Sequence, residues 1–202
     1  MVSVKLYVEG GGDSEALQSL CREAFRGFLE KAGFRGRMPR IVACGGRQTA
    51  YDWFRTACAW GETALLLIDS EESVSVPSPW THLANRLGDG FDKPQNATDD
   101  HCHLMVVCME SWFLADKDAL SRFFGQGFNT KALPQNMNIE AISKKDIHDG
   151  LKRATSNCKT KASYGKGEHS FKILLLVAPD KVRNASPWAK RFLEKLDEFL
   201  KE

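Results

Sequence analysis

Glu9, Asp69 and Glu71 stand where two apolar runs give way to polar residues, and their acidic side chains could do chemistry there. The first run reads VKLYVEGGGDSE and is closed by Glu9 and Gly10; the second reads ALLLIDSEE and is closed by Asp69 and Glu71. In an open parallel α/β sheet, residues just past the carboxyl ends of the strands gather along one edge, where ligands bind. Three carboxylates collected there repel one another unless a proton or a cation lies between them. Glu110 follows a further apolar run, HLMVVCM, and extends the set to four acids. An oxygen-rich site of this kind suits Mg²⁺ or Mn²⁺ rather than zinc. Such a site meets two needs of in-line phosphodiester hydrolysis: it holds a phosphoryl oxygen and lowers the pKa of a bound water. A single carboxylate after a strand would mean little, because loops are polar. The paired pattern, EG after one run and DxE after another, argues for a site.

Hydrolysis of a phosphodiester also needs positive charge beside the scissile phosphate. Lys166 in SYGKGEH is the leading candidate, because flanking glycines let the backbone approach a ligand; Lys161 and Lys159 in the same basic loop are rivals. Arg47 in GGRQT either presents a guanidinium and backbone amides to a phosphate at a helix start or serves only as turn and cap. The substrate-binding candidates are therefore Gly10, Arg47 and Lys161, with Glu9, Asp69 and Lys166 as the catalytic ones. Other chemistries fit less well. The chain has no GxxxxGK[ST] loop for a nucleotide hydrolase and no DxDxT for a phosphoaspartate enzyme. His101 and His103 share a strand face but lie at the opposite end of that strand from the acids, so they read as structural or surface residues. Ser14 and Ser70 have no histidine placed to activate them.

The elements that must position these residues can be read from periodicity. Strands are expected at Val2 to Val8, Arg40 to Cys44, Thr63 to Ile68 and His103 to Met109. Helices are expected after Asp13 or Ser14, from about Gln48 to Ala59, from Trp80 to Arg86 and from Ser111 to Phe124. This alternation predicts a parallel sheet with helices on both faces. Beyond Gly125 the pattern becomes mainly helical, with Ile139 to Ala154, an ambiguous run at Phe171 to Val177, and a terminal helix opened by Ser186 and Pro187. The expected organisation is an α/β core over 1–124 and a C-terminal extension over 125–202 packed on it. Trp53, Phe54, Trp112 and Phe113 read as core residues, whereas Trp80 and Trp188, beside prolines, read as partly exposed.

Bulk properties narrow the class. The 202 residues can bury about 70% of the unfolded surface and need no staples. A net charge of +2 is too small to mark a nucleic-acid binder by itself, so a nuclease of this size would borrow binding surface from a partner or a second copy. Six cysteines without a CxxC pair suit reduced thiols in a cytosolic protein. No signal-peptide pattern is seen, and no stretch approaches the roughly 20 apolar residues of a membrane helix. The expected location is the cytoplasm.

The strand-EG start and the strand-DxE third strand resemble the signature of the Toprim fold of topoisomerases, primases, recombination mediators and nucleases of the overcoming-lysogenization-defect class. More closely, VEGGGDSEA, GGRQTAYDWF, LLLIDSEE, PWTHL and MESWFLAD resemble a bacterial Toprim-like family catalogued as domain of unknown function 4276. The resemblance is strongest from Val4 to Asp116 and weaker over ALP, SYGKGEHSF and SPWAKRF. It implies a Toprim-like (Rossmann-like) α/β fold, a metal-dependent nuclease-like site, and a place in phage defence beside an ATPase partner. By motif match, Glu9 would serve metal or general-base chemistry, Asp69 and Glu71 would bind metal, and Glu110 would contribute to a second metal position. Many Toprim domains carry aspartate at both ends of DxD; this chain has DSE. A non-catalytic docking or sensing subunit of an ATPase, and nucleotidyl transfer as in primases, are the other functions compatible with the same residues.

Overall fold

The computed structural model describes residues 4–201. Four strands, β1 (Lys5–Val8), β2 (Arg40–Ala43), β3 (Ala64–Asp69) and β4 (Cys102–Met105), pair in parallel in the order β2-β1-β3-β4 among the described residues. The start of the first predicted strand, at Val2, lies outside them. Every residue of β3 is buried, as expected of a central parallel strand covered on both faces. Val8 is in register with both Ala43 and Leu67, and the Glu9 amide continues the ladder to the Leu67 carbonyl at 3.0 Å. Glu9 therefore leaves β1 alongside the end of β3.

Helix α1 (Glu15–Leu29) starts at Ser14, whose hydroxyl accepts the Leu17 amide, and lies on the sheet face that carries Ile41. Helix α2 (Arg47–Ala59) lies on the other face, against Tyr7 and Val42. Between them, Gly10 and Gly45 exchange backbone hydrogen bonds at 2.9 and 2.8 Å, joining the loops after β1 and β2. Gly45 has φ +69°, and a Cβ there would sit 2.6 Å from the Gly12 carbonyl oxygen. Only glycine fits so close an approach.

Helix α3 (Pro79–Asn85) is capped by Ser78. Trp80 on it is buried, contrary to the expectation of exposure: its indole donates to the Thr98 carbonyl and its ring stacks on Phe54. Trp53 departs the other way and is 48% exposed, because α2 turns its Phe54 face inward. Strand β4 is shorter than predicted. Past Met105 the chain turns: the Ser111 hydroxyl accepts the Val107 amide, and the Glu71 amide donates to the Val107 carbonyl.

The single helix predicted over Ser111 to Phe124 is two, α4 (Ser111–Ala115) and α5 (Lys117–Phe124). Asp116 divides them. Its buried carboxylate caps α5 at the Ala119 amide and also accepts the Ala178 amide and the Lys181 ammonium. Burial opposes its ionisation, but these donors outweigh burial and hold its pKa below the usual range. Likewise, Ile139–Ala141 is a separate 3₁₀ turn, and α6 (Lys144–Thr155) begins afresh at the Ser143 cap. The ambiguous run at 171–177 is mostly helix, α7 (Glu168–Leu174). Helices α8 (Pro179–Ala185) and α9 (Pro187–Phe199) complete the described chain.

The C-terminal helices share the core of the sheet. Helix α7 packs on α1 and α9 on β4, and buried residues from both sides of position 125 form one continuous core. Arg191 of α9 donates to the carbonyls of Cys102 and Asp99 at the start of β4. His103 beside it is fully buried against Phe192; burial, then Arg191, pushes its pKa well below normal, so it is a neutral structural residue. The six cysteines are free thiols, five of them buried. No helix of the described residues is long and apolar enough to cross a membrane.

Candidate active site

Sheet register brings the first three acids together. Carboxylate oxygens of Glu9, Asp69 and Glu71 lie within 4.8 Å of one another at the carboxyl edge of β1 and β3. Glu9 Oε2 accepts the Asp69 amide at 3.1 Å, so the first acid is tied to the backbone of the second. Asp69 Oδ1 accepts the Met109 amide at 2.9 Å, which fixes its other oxygen toward the cluster. Glu71 is held by its backbone. Its φ of +69° is in the left-handed region, which costs a non-glycine residue about 1–2 kcal/mol. Its amide hydrogen bond to Val107, at 2.8 Å, helps retain that conformation.

Two cations meet these acids. Arg47 grips Asp89 with two hydrogen bonds, at 2.7 and 2.5 Å, while its remaining nitrogen reaches Glu9 Oε2 at 3.2 Å and the Asp69 carbonyl. Lys144 of α6 contacts both oxygens of Glu71, at 2.6 and 2.7 Å, and Asp69 Oδ2 at 3.5 Å. Burial works against the Lys144 ammonium, but Asp69 and Glu71 together outweigh it and raise its pKa. Asp69 is shifted well above the ordinary aspartate value, by burial first and then by Glu9 and Glu110. Burial raises the pKa of Glu9 too, with Arg47 in partial opposition. Both acids thus gain from added positive charge.

Gly10, Gly11, Gly12 and Gly45 line a pocket that also holds Glu9 and Asp69, and Lys166, Gly167 and Phe171 complete its lining. Lys166 is exposed and draws both Asp69 and Glu110 toward the ionised form. Lys161 is not on this lining; its ammonium lies 4.7 Å from the Phe123 ring centre. Lys159 is exposed and also away from the lining. Arg47, considered as a phosphate ligand, is committed inside the fold and braces the acids instead.

Glu110 lines the same pocket but points to a different set of partners. Its Oε1 accepts Tyr164 Oη at 2.9 Å and Ser170 Oγ at 3.1 Å, its Oε2 lies 3.7 Å from His148 Nε2, and Cys108 joins these two acid and imidazole groups within 4.8 Å. Lys144, His148, Tyr164 and Asp89 are site residues that motif reading passes over. One signal for two of them existed: Lys144 and His148 are four apart in a predicted helix and so share a face.

The oxygen donors fit a hard divalent cation in number and proximity. Lys144 marks the place, since its ammonium touches three of the carboxylate oxygens in question. Neither a curated protein nor a solved structure matches the chain. A family model does match, over residues 8–197, and on that span the chain belongs to the family described as Domain of unknown function (DUF4276).

Proposed function

We propose that this chain is a Mg²⁺- or Mn²⁺-dependent phosphodiesterase of Toprim type that cleaves DNA or RNA, in the cytoplasm, within a bacterial defence module that includes an ATPase. One observation carries the reading: three carboxylates from two strand ends converge within 4.8 Å, and two of them, Glu9 and Asp69, line a glycine-walled pocket. Glu9, Asp69 and Glu71 would hold the cation, which supplies charge stabilisation to a phosphoryl oxygen and a more acidic water. The glycine wall admits a phosphodiester backbone, and Lys166 lines the same pocket. Lys144, held by Glu71, yields its place to the cation and supplies positive charge beside the site. Arg47 keeps Glu9 and Asp69 oriented throughout.

The test is cleavage of single- and double-stranded DNA and RNA with Mg²⁺, Mn²⁺ or chelator. Cation-stimulated cleavage that disappears in Asp69→Asn and Glu9→Gln, with unchanged circular dichroism, is the expected result. A second reading, a non-catalytic partner of an ATPase, is favoured by the ion pairs that Lys144 and Arg47 already make with the acids. It predicts no cleavage with any cation and a stable complex with the ATPase.

A further inference from the structure

The cluster around Glu110 has a chemistry that the three-acid cluster lacks: a thiol, an imidazole and a carboxylate whose donor atoms lie within 4.8 Å of one another. Glu110 is only 1% exposed, and while its Oε1 is held by Tyr164 and Ser170, its Oε2 has no hydrogen-bond partner. His148 Nε2 is buried, likewise has no hydrogen-bond partner, and lies 3.7 Å from that oxygen, within ion-pair range. The gap is too wide for a direct hydrogen bond. The pair therefore stands close but without a bridging atom. Nitrogen and oxygen ligands of a tetrahedral zinc ion, bound at roughly 2.0–2.1 Å, stand about 3.4 Å apart. The observed separation needs little adjustment to match.

We propose that Cys108, Glu110 and His148 bind Zn²⁺, through Sγ, Oε2 and Nε2. This site is independent of the phosphodiesterase reading. A thiolate and an imidazole select zinc over magnesium, whereas the neighbouring acids offer only oxygen. Tyr164 and Ser170 hold the far oxygen of Glu110 as outer-shell donors orient a ligating carboxylate. On binding, the Cys108 S–H bond breaks, the proton leaves to solvent, and a sulfur–zinc bond replaces it. One thiolate and one carboxylate then offset the charge of the ion, so the buried assembly is neutral. Three protein ligands leave one tetrahedral position for water, and Glu110 itself lines the pocket that also holds Asp69 and Lys166.

Titration of the chelator-treated full chain with Co²⁺ as a spectroscopic probe tests the assignment. With Mg²⁺ in excess to fill the three acids, the expected result is one equivalent bound, with tetrahedral visible bands and a thiolate-to-cobalt charge-transfer band, both removed by one equivalent of Zn²⁺. Cys108→Ser abolishes the charge-transfer band, and Tyr164→Phe weakens binding by about tenfold. If Cys108→Ser does not fold, His148→Ala carries the test through a loss of affinity of at least about tenfold. The assignment is overturned if the wild-type chain shows no charge-transfer band, or if the band persists in folded Cys108→Ser. It is also overturned if cobalt binding is lost in Asp69→Asn but untouched in His148→Ala, which would place the ion on the three acids and leave His148 and Glu110 a plain ion pair. Cleavage activity enters none of these readouts, so the two proposals fail separately.

Discussion

Replacing Lys144 by alanine separates the two roles its ammonium can have. Two unit charges 4 Å apart interact by about 4 kcal/mol at an effective dielectric of 20 and about 1 kcal/mol in bulk water. Lys144 is 26% exposed, Glu71 22% and Asp69 7%, so solvent screens part of the attraction. A net loss of about 2 kcal/mol is expected without divalent cation, or about 4–8 °C in melting temperature for a chain of this length. The vacated position should then accept Mg²⁺. At ten times its dissociation constant a bound ion stabilises by about 1.4 kcal/mol, which recovers most of the loss. In the wild type the ion must first displace the ammonium, so the same Mg²⁺ concentration stabilises by less than about 0.5 kcal/mol. Differential scanning fluorimetry across a Mg²⁺ series reads both curves. Equal shifts in the two proteins, or none in Lys144→Ala, would refute the idea that the ammonium occupies the cation position.

Further outcomes follow from the same geometry. Asp69 has a folded-state pKa above its unfolded value, so the folded chain binds that proton more tightly and stability falls as pH rises from about 4. Asp69→Asn should therefore melt higher than wild type at pH 7 without metal, with a flatter pH profile, while losing cleavage; a lower melting temperature would contradict the burial argument. Arg47→Ala leaves Asp89, whose side chain is 3% exposed, with Arg86 alone and should cost about 3–5 kcal/mol in a urea melt. Gly45→Ala places a methyl 2.6 Å from the Gly12 carbonyl and should cost at least about 1–2 kcal/mol, with reduced cation binding because the loop after β1 shifts.

The sheet was legible because its strands are short, apolar and bounded by glycines, and β3 in particular reads as buried on both faces. The helix breaks at Asp116 and Ser143 were not, since their cause is tertiary: Asp116 caps α5 while tied to Ala178 and Lys181, far along the chain. The convergence of Glu9, Asp69 and Glu71 was legible from strand ends, because parallel register dictates it. Their counter-ions were hidden. Lys144 reaches the cluster from a helix whose approach depends on how the C-terminal segments pack, and Asp89, the anchor of Arg47, lies in a stretch that reads as plain loop. Trp53 and Trp80 exchange their expected exposures for the same kind of reason: sequence fixes which helix face is apolar on average, while the loop laid over it decides which ring is covered.

The guanidinium of Arg191 has a consequence for assembly. A parallel sheet ends in strands with unsatisfied peptide groups, and such rims recruit foreign strands. By engaging the carbonyl of Cys102, the first residue of β4, and that of Asp99 just before it, Arg191 occupies the beginning of one rim, and the terminal helix packs against that strand. An incoming peptide thus meets an occupied start on that side and, on the Arg40–Ala43 side, four residues that offer little length to grip.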